Sequence, residues 1–312
     1  MEKVDLFIIG SGAAGLSAAL YGARSALSIL VADQSKSGGQ ALQIYDLENY
    51  PGLFPAVSGA DFSQNLEKQA KAFGAKIIQL QVISIDKKKD FFYIKTDKGE
   101  ILAKAVLLAT GAQHKTLNIP GEKELYGAGV SYCAVCDGPF FCGKEVVVIG
   151  GGDSACTEAL YLSSIASQVT IIHRRNTLRC QNVTAQRINA KDNIQIMYNC
   201  VAKSINGSKS GPSVVDSITI LNTQSGKTHN LKTNAVFIFV GMEPQNKLID
   251  ILPKDKSGYI ITNEKMETPV PGLYCAGDVR SKPLRQIITA AADGAIAAHS
   301  AWEYIQNLDG EN

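Results

Sequence analysis

Two copies of a strand, glycine turn, helix, strand unit predict an α/β protein with two Rossmann-like dinucleotide-binding domains. The first copy opens the chain as "VDLFIIGSGAAGLSAALYGARSALSILVADQ", and the second lies near its middle as "KEVVVIGGGDSACTEALYLSSIASQVTIIHRR". Further buried-strand segments flank the second copy on both sides, so that copy reads as an insertion into the domain of the first.

Each copy begins with a Val- and Ile-rich run, the pattern of a strand buried on both faces of a parallel sheet. A glycine turn follows, G-x-G-x-x-G over residues 10–15 and G-x-G-x-x-A over residues 150–155. The first glycine permits the tight turn, the second lets the backbone approach a pyrophosphate, and the third small residue packs helix on strand. The helix N-terminus then attracts phosphate charge. A strand before and a helix after each motif supply the context it needs. The predicted turn residues are Gly10, Ser11, Gly12, Ala13 and Ala14 in the first site, and Gly150, Gly151, Gly152, Asp153 and Ser154 in the second.

The ends of the closing strands distinguish the two sites. Asp33 ends the first, where a carboxylate accepts ribose hydroxyls. The second ends in "HRRNTLR", carrying His173, Arg174, Arg175 and Arg179. Guanidinium groups bind phosphate bidentately and stay charged, so this site is expected to take NADPH rather than NADH through its 2′-phosphate.

"ILAKAVLLATGA" is a buried strand ending in a glycine turn, and "AVFIFVG" is another, followed by the turn "MEPQN". The tail "GYIITNEKMETPVPGLYCAGDVRSKPLRQIITAAADGAIAAHSAW" reads as a strand, a Gly-Asp turn and a long alanine-rich helix. The expected division is residues 1–116 for the first part of the outer dinucleotide domain, 117–244 for the inserted NADPH domain, and 245–312 for the second part of the outer domain. The connections fall near residues 115–120 and 243–247.

A net charge of +2 gives no excess of Lys and Arg for tracking nucleic acid. The run "KKK" at residues 87–89 reads as a solvated hairpin end. The apolar N-terminus has mixed charge and is broken by glycines, unlike a secretory signal, and no window approaches a membrane span. Seven scattered cysteines, an odd number, fit a reducing compartment, with the cytoplasm as the default.

The stretch "SYCAVCDGPFFC" puts three of those cysteines close together. Structural zinc calls for four ligands and finds only one C-x-x-C pair, so no metal is expected. Inert buried thiols and a reactive dithiol remain as readings. Two residues between Cys133 and Cys136 permit a bridge, and Asp137 beside them could hold the proton a thiolate gains or loses. Phe140 and Phe141 read equally as a docking lip or as core, and Cys142 reads as a bystander.

Taken together, "GSGAAGL", "GGQ", "ENYPG", "ATG", "CAVCDG", "GGGDSA", "HRRNTLR", "CAGDV" and "RQ" resemble, in that order, the low-molecular-weight thioredoxin reductases. These are FAD- and NADPH-dependent enzymes of the pyridine nucleotide-disulfide class, and the resemblance covers residues 4–298. It implies that FAD is held by the segments matching residues 10–14, Gly38, Gly39, Gln40, Asn49, Asp278, Arg285 and Gln286. The expected flavin site adds Asp33, Val82, Ala109, Thr110, Gly111 and Gly277. It further implies that Cys133 and Cys136 are the redox-active disulfide, that Asp137 shuttles protons, that the substrate is a thioredoxin-like protein and that the enzyme is a homodimer. With dithiol and nicotinamide sites on one inserted segment and the flavin on the flanking halves, turnover is expected to need rotation about the two connections.

There are departures. Cys156 and Thr157 precede a single Glu158 where two acids are common, Pro244-Gln245-Asn246 replaces Pro-Asn-Thr, and Cys142 and Cys180 are unexpected. Two rival classes stay open: a flavin-dependent dithiol oxidase, which would need no arginine cluster, and a non-catalytic redox sensor, which would need no cysteine pair.

Overall fold

The strand Glu2–Ile9 leaves almost no face for solvent beyond its first residues, since Leu6, Phe7 and Ile8 are fully buried. Such a strand belongs in the middle of a sheet covered on both sides. In the computed structural model, which describes residues 2–44, 46–208 and 213–310, it is flanked in parallel by Ile29–Asp33 and Gly99–Leu108. The same sheet carries Lys76–Gln79 beyond Ile29–Asp33 and the antiparallel hairpin Val82–Lys88 and Phe91–Thr96 on the opposite side. Leu273–Cys275 joins parallel to the end of Gly99–Leu108.

The chain divides into two units: Met1–Gln113 with Glu243–Asn312, and the continuous segment His114–Met242. In the first unit, helix Ala13–Arg24 packs against the long helix Ile287–Gly310 through small residues, including the buried Ala14, Ala18, Ala297 and Ala298. The tail follows its sequence reading: the strand Leu273–Cys275 leads into the turn at Gly277 and Asp278 and then into helix Ile287–Gly310. Tyr259 and Ile260 form no strand, and Ile260 makes only isolated bridges to Lys254 and Arg280. Lys87 departs from a solvated hairpin end. Its ammonium bonds the Pro271 carbonyl and lies 5.4 Å from the centre of the Phe92 ring, and burial lowers its pKa.

In the second unit, five parallel strands stand in the order Ile194–Tyr198, Gln168–His173, Glu145–Gly150, Ala235–Phe239, Val130–Ser131. A three-stranded antiparallel sheet, Cys200–Gly207, Val215–Asn222 and Thr228–Lys232, accompanies it. Helix Asp153–Ser163 covers one face and shares a core with Val146, Val148 and Phe237. Phe237 is fully buried, and truncating such a side chain to Ala costs about 3–5 kcal/mol.

Candidate active site

Both glycine turns sit at the C-terminal ends of central strands. Gly10 has φ +103°, and a β-carbon there would lie 2.3 Å from Ala109 O. Gly150 matches it, with φ +149° and Phe239 O at 2.4 Å. Only glycine combines that backbone with so close an approach to a neighbouring strand. The sequence pattern and the sheet therefore impose the same turn twice.

In the first turn, helix Ala13–Arg24 has Gly12 as its N-cap, with no side-chain cap and no acid in its first turn. Its first ladder bond runs from Leu16 N to Gly12 O at 2.9 Å, so the preceding amides have no partner within the ladder. A β-carbon on Gly12 would meet nothing within 4 Å, which leaves open space before those amides. Asp33 is already bound. Its Oδ2 accepts from Ser11 N at 2.7 Å and Ser11 Oγ at 2.8 Å, and its Oδ1 from Ser35 N at 2.9 Å and Ser35 Oγ at 3.0 Å. A carboxylate has about four acceptor sites, so Asp33 first of all ties the glycine turn to the strand end. Gly38 N bonds Ser11 O at 2.9 Å, which folds Gly39 and Gln40 back over the turn, and Gln40 Nε2 reaches Ala112 O at 3.3 Å. Leu80 N bonds Asp33 O at 2.7 Å, so half-buried Val82 begins its strand beside Asp33.

Asn49 and Gln286, far apart in sequence, meet through Nδ2 and Oε1 at 2.9 Å. Ala109, Thr110 and Gly111 follow the strand Gly99–Leu108. There the Pro244-Gln245-Asn246 departure is absorbed: Gln245 Nε2 bonds Thr110 O at 3.0 Å and Gln245 N bonds Gly111 O at 3.0 Å. The Gly277 turn is held by a residue that sequence reading missed. Asp293 Oδ2 accepts from Gly277 N at 3.1 Å and pairs with Lys282 Nζ at 3.1 Å, while Oδ1 pairs with Arg280 Nη1 at 3.0 Å. Burial raises the pKa of Asp278 against the opposing pull of Lys282, 3.3 Å away. The Arg285 guanidinium lies 3.6 Å from the centre of the Tyr259 ring, and its buried Nε has no hydrogen-bond partner among the described residues. Free helix amides, open space at Gly12 and an unfilled guanidinium donor fit an anionic flavin dinucleotide.

The second turn repeats the arrangement. Helix Asp153–Ser163 has Gly152 as N-cap without a side-chain cap, and a β-carbon on Gly152 would again meet nothing within 4 Å. Asp153 directs Oδ1 to Gln181 N at 2.8 Å, and exposed Ser154 follows it. Arg179 N bonds Gly151 O at 2.6 Å, which draws the arginine loop to the turn. Arg174, Arg175 and Arg179 are exposed. His173 is not among them: it is buried, its ring lies against Gly151, and burial depresses its pKa, so it packs as a neutral ring. Free amides beside three exposed guanidinium groups fit a phosphorylated nicotinamide coenzyme.

Cys133 and Cys136 form a disulfide with Cα atoms 5.3 Å apart. Cys133 caps the short helix Ala134–Asp137, its sulfur accepting from Cys136 N at 3.1 Å. Such a donor favours a thiolate on Cys133 once the bridge opens. Cys136 is exposed, and Cys133 and Asp137 are half-buried. Ser131 Oγ accepts from Cys133 N at 3.0 Å and donates to Cys133 O at 3.2 Å. Buried Glu122 accepts from Leu117 N at 2.8 Å and from Tyr132 OH at 2.6 Å, fixing the approach to Cys133. Neither Ser131 nor Glu122 carries a local sequence signal. The turn rests on the end of helix Asp153–Ser163 and the residues just after it, where Gly138 lies against Leu162 and Ile165. The two phenylalanines divide: Phe140 is exposed, while Phe141 packs edge-on to Phe237 with centroids 6.0 Å apart. Cys142 is free and exposed.

The pyridine nucleotide-disulphide oxidoreductase profile matches residues 4–294. A thioredoxin reductase of Treponema pallidum is 48% identical over 97% of this chain and 98% of its own. One from Bacillus subtilis is 44% identical over 98% of this chain and 96% of its own. The crystal structure of Lactococcus lactis thioredoxin reductase superposes with a TM-score of 0.93 at 39% identity, covering 97% of this chain and 99% of that one.

Proposed function

The chain belongs to the pyridine nucleotide-disulphide oxidoreductase family, and from that premise we propose that it is a thioredoxin-disulfide reductase. In this reading electrons pass from NADPH through FAD and the Cys133–Cys136 disulfide to a thioredoxin-like protein. The observation that carries it is the Cys133–Cys136 bridge, set in a turn that packs on the helix of the second glycine turn.

Bound FAD and NADPH supply the hydride and electron chemistry. The chain would position them: the amides of residues 13–15 and Arg285 would hold the flavin phosphates, and the amides of residues 153–155 those of the coenzyme. Arg174, Arg175 and Arg179 would take the 2′-phosphate. Asp33 would offer ribose hydroxyls its Oδ1, the oxygen that exposed Ser35 binds, while its Oδ2 stays with Ser11. Two electrons and two protons open the bridge to two thiols. The Cys133 thiolate, favoured by the Cys136 amide, attacks a partner disulfide sulfur and releases one partner thiolate. Cys136 then attacks the Cys133 sulfur, re-forms the bridge and releases the second thiolate. Asp137 holds the proton that Cys136 gives up, and exposed Phe140 offers an apolar contact to the incoming protein.

The enzyme works as a homodimer in the cytoplasm. Five free cysteines are in keeping with a reducing compartment, and no helix among the described residues is long and apolar enough to cross a membrane. The test is NADPH consumption by the FAD-loaded enzyme with oxidised thioredoxin, compared with oxygen alone. Fast consumption only with thioredoxin supports the reading, whereas equal rates would assign an oxidase.

A further inference from the structure

A second pair of cysteines meets beneath the proposed coenzyme-phosphate loop. Cys156 lies in the first turn and a half of helix Asp153–Ser163, and its amide makes that helix's first ladder bond, to Gly152 O at 3.0 Å. Cys180 follows Arg179 in the loop that carries the arginines. The two side chains pack in one core cluster, where Cys180 is the neighbour that bears on the Cys156 thiol. This contact is held in place from both sides. Arg179 N is bonded to Gly151 O at 2.6 Å, and Gln181 N to Asp153 Oδ1 at 2.8 Å. Cys180 is thus pinned between two anchors that are themselves parts of the glycine turn and the helix start.

We propose that Cys156 and Cys180 are a regulatory dithiol that closes to a disulfide under peroxide and weakens binding of the 2′-phosphorylated coenzyme; this rests on the NADPH reading of the site. The asymmetry of the pair sets the order of events. Cys156 is fully buried, while Cys180 is half-buried. Burial, and then the neighbouring Cys180, push the Cys156 thiol pKa up, so Cys156 holds its proton. Peroxide therefore meets Cys180 first. The Cys180 sulfur gives two electrons to the O–O bond and becomes a sulfenic acid, releasing one water. The Cys156 sulfur then displaces the hydroxyl, which leaves with the thiol proton as a second water. Two thiols and one hydrogen peroxide give one disulfide and two waters.

The bridge changes the loop because the sulfur atoms must close to about 2.05 Å. Cys156 is fixed in the helix and core, so Cys180 makes the movement. Its neighbours must strain or release their bonds to Gly151 O and Asp153 Oδ1, and Arg179 leaves the position from which it faces the phosphate. The catalytic disulfide does not compete for the oxidant, since Cys133 and Cys136 are already bridged at rest.

The test uses the full FAD-loaded enzyme treated with stoichiometric hydrogen peroxide and has two readouts. Non-reducing peptide mapping by mass spectrometry should find a Cys156–Cys180 cross-link that a dithiol reagent removes. Calorimetric titration with 2′,5′-ADP, a binding measurement with no turnover, should show affinity at least tenfold weaker after peroxide and restored by the reagent. Cys180→Ser and Cys180→Ala should bind 2′,5′-ADP as the untreated enzyme does, before and after peroxide. Absence of the cross-link overturns the proposal, and so does a cross-linked enzyme with unchanged affinity. If the untreated enzyme fails to bind 2′,5′-ADP, the coenzyme reading itself falls, an outcome distinct from either of those.

Discussion

Replacing Asp293 with Asn should loosen the Gly277 turn and release flavin, and the geometry gives the size of the effect. One carboxylate faces two cations, Arg280 at 3.0 Å and Lys282 at 3.1 Å, and also accepts the Gly277 amide at 3.1 Å. The side chains are nearly enclosed, with 12%, 5% and 9% of Arg280, Lys282 and Asp293 exposed. At an effective dielectric near 20, each pair is worth roughly 5 kcal/mol before desolvation is counted. Asn removes the charge but leaves both cations buried, and breaking a buried pair this way costs about 3–5 kcal/mol. Asp278, 3.3 Å from Lys282, still neutralises one cation, so the lower end applies. At about 2–4 °C per kcal/mol for a domain of some 200 residues, a loss of about 3 kcal/mol lowers Tm by about 6–12 °C. Circular dichroism on the FAD-loaded protein reads the melting, and flavin fluorescence after gel filtration reads the cofactor lost. A Tm within about 2 °C of the parent with full flavin retention would refute the assignment of Asp293 as the anchor of this turn.

Arg174→Ala with Arg175→Ala should remove about 1.5–3 kcal/mol per charged hydrogen bond to the 2′-phosphate; NADPH turnover then falls well over tenfold while NADH turnover holds, and an equal loss with both coenzymes would contradict the 2′-phosphate role. Cys133→Ser and Cys136→Ser should each keep flavin and its reduction by NADPH but lose thioredoxin reduction, whereas Cys142→Ser keeps all three; a dead Cys142→Ser would show that the redox pair was chosen wrongly. Glu158 Oε2 is buried without a hydrogen-bond partner among the described residues, and burial raises this carboxyl from an ordinary 4.5 to about 7. The folded protein therefore binds more protons than the unfolded chain between pH 4.5 and 7, and stability declines as pH rises through that window. Glu158→Gln should stabilise the fold more at pH 8 than at pH 5, by up to about 3 kcal/mol, seen as a larger gain in Tm at pH 8 in thermal melts of the coenzyme-free enzyme; equal effects at both pH values would disprove the buried ionisation.

What could be read from the chain was what depends on local backbone demands. The glycine turns were legible because positive φ at Gly10 and Gly150 and the approach of Ala109 and Phe239 leave no other residue type. The cysteine pair was legible in part: two intervening residues permit a bridge, and the resemblance, not the spacing, singled it out as redox-active. Asp33 was found by position but not by partners, since nothing local says that Ser11 and Ser35 take its oxygens. The tail's order of strand, Gly-Asp turn and helix was legible, but its place in the sheet was not, because Leu273–Cys275 pairs with Gly99–Leu108 from far away in the sequence.

Residues that act as second partners stayed hidden for a physical reason. Asp293 lies in an alanine-rich helix, where one acid reads as a solvated charge; helical periodicity gives the face it occupies but not the turn that face meets. It acts only because Gly277, Arg280 and Lys282 arrive from a preceding segment. Glu122 is similar, since its worth lies in Tyr132, ten residues on, and in the Leu117 amide behind it. Cys156 and Cys180 show the same limit most clearly: each looks like an isolated departure from the family pattern, and only the bonds from Arg179 and Gln181 to the glycine turn make them a pair. A motif specifies which group is presented, and the tertiary contacts decide which neighbours hold it there. Substitutions at such anchors should therefore alter cofactor retention and coenzyme affinity without touching any residue that a motif search selects.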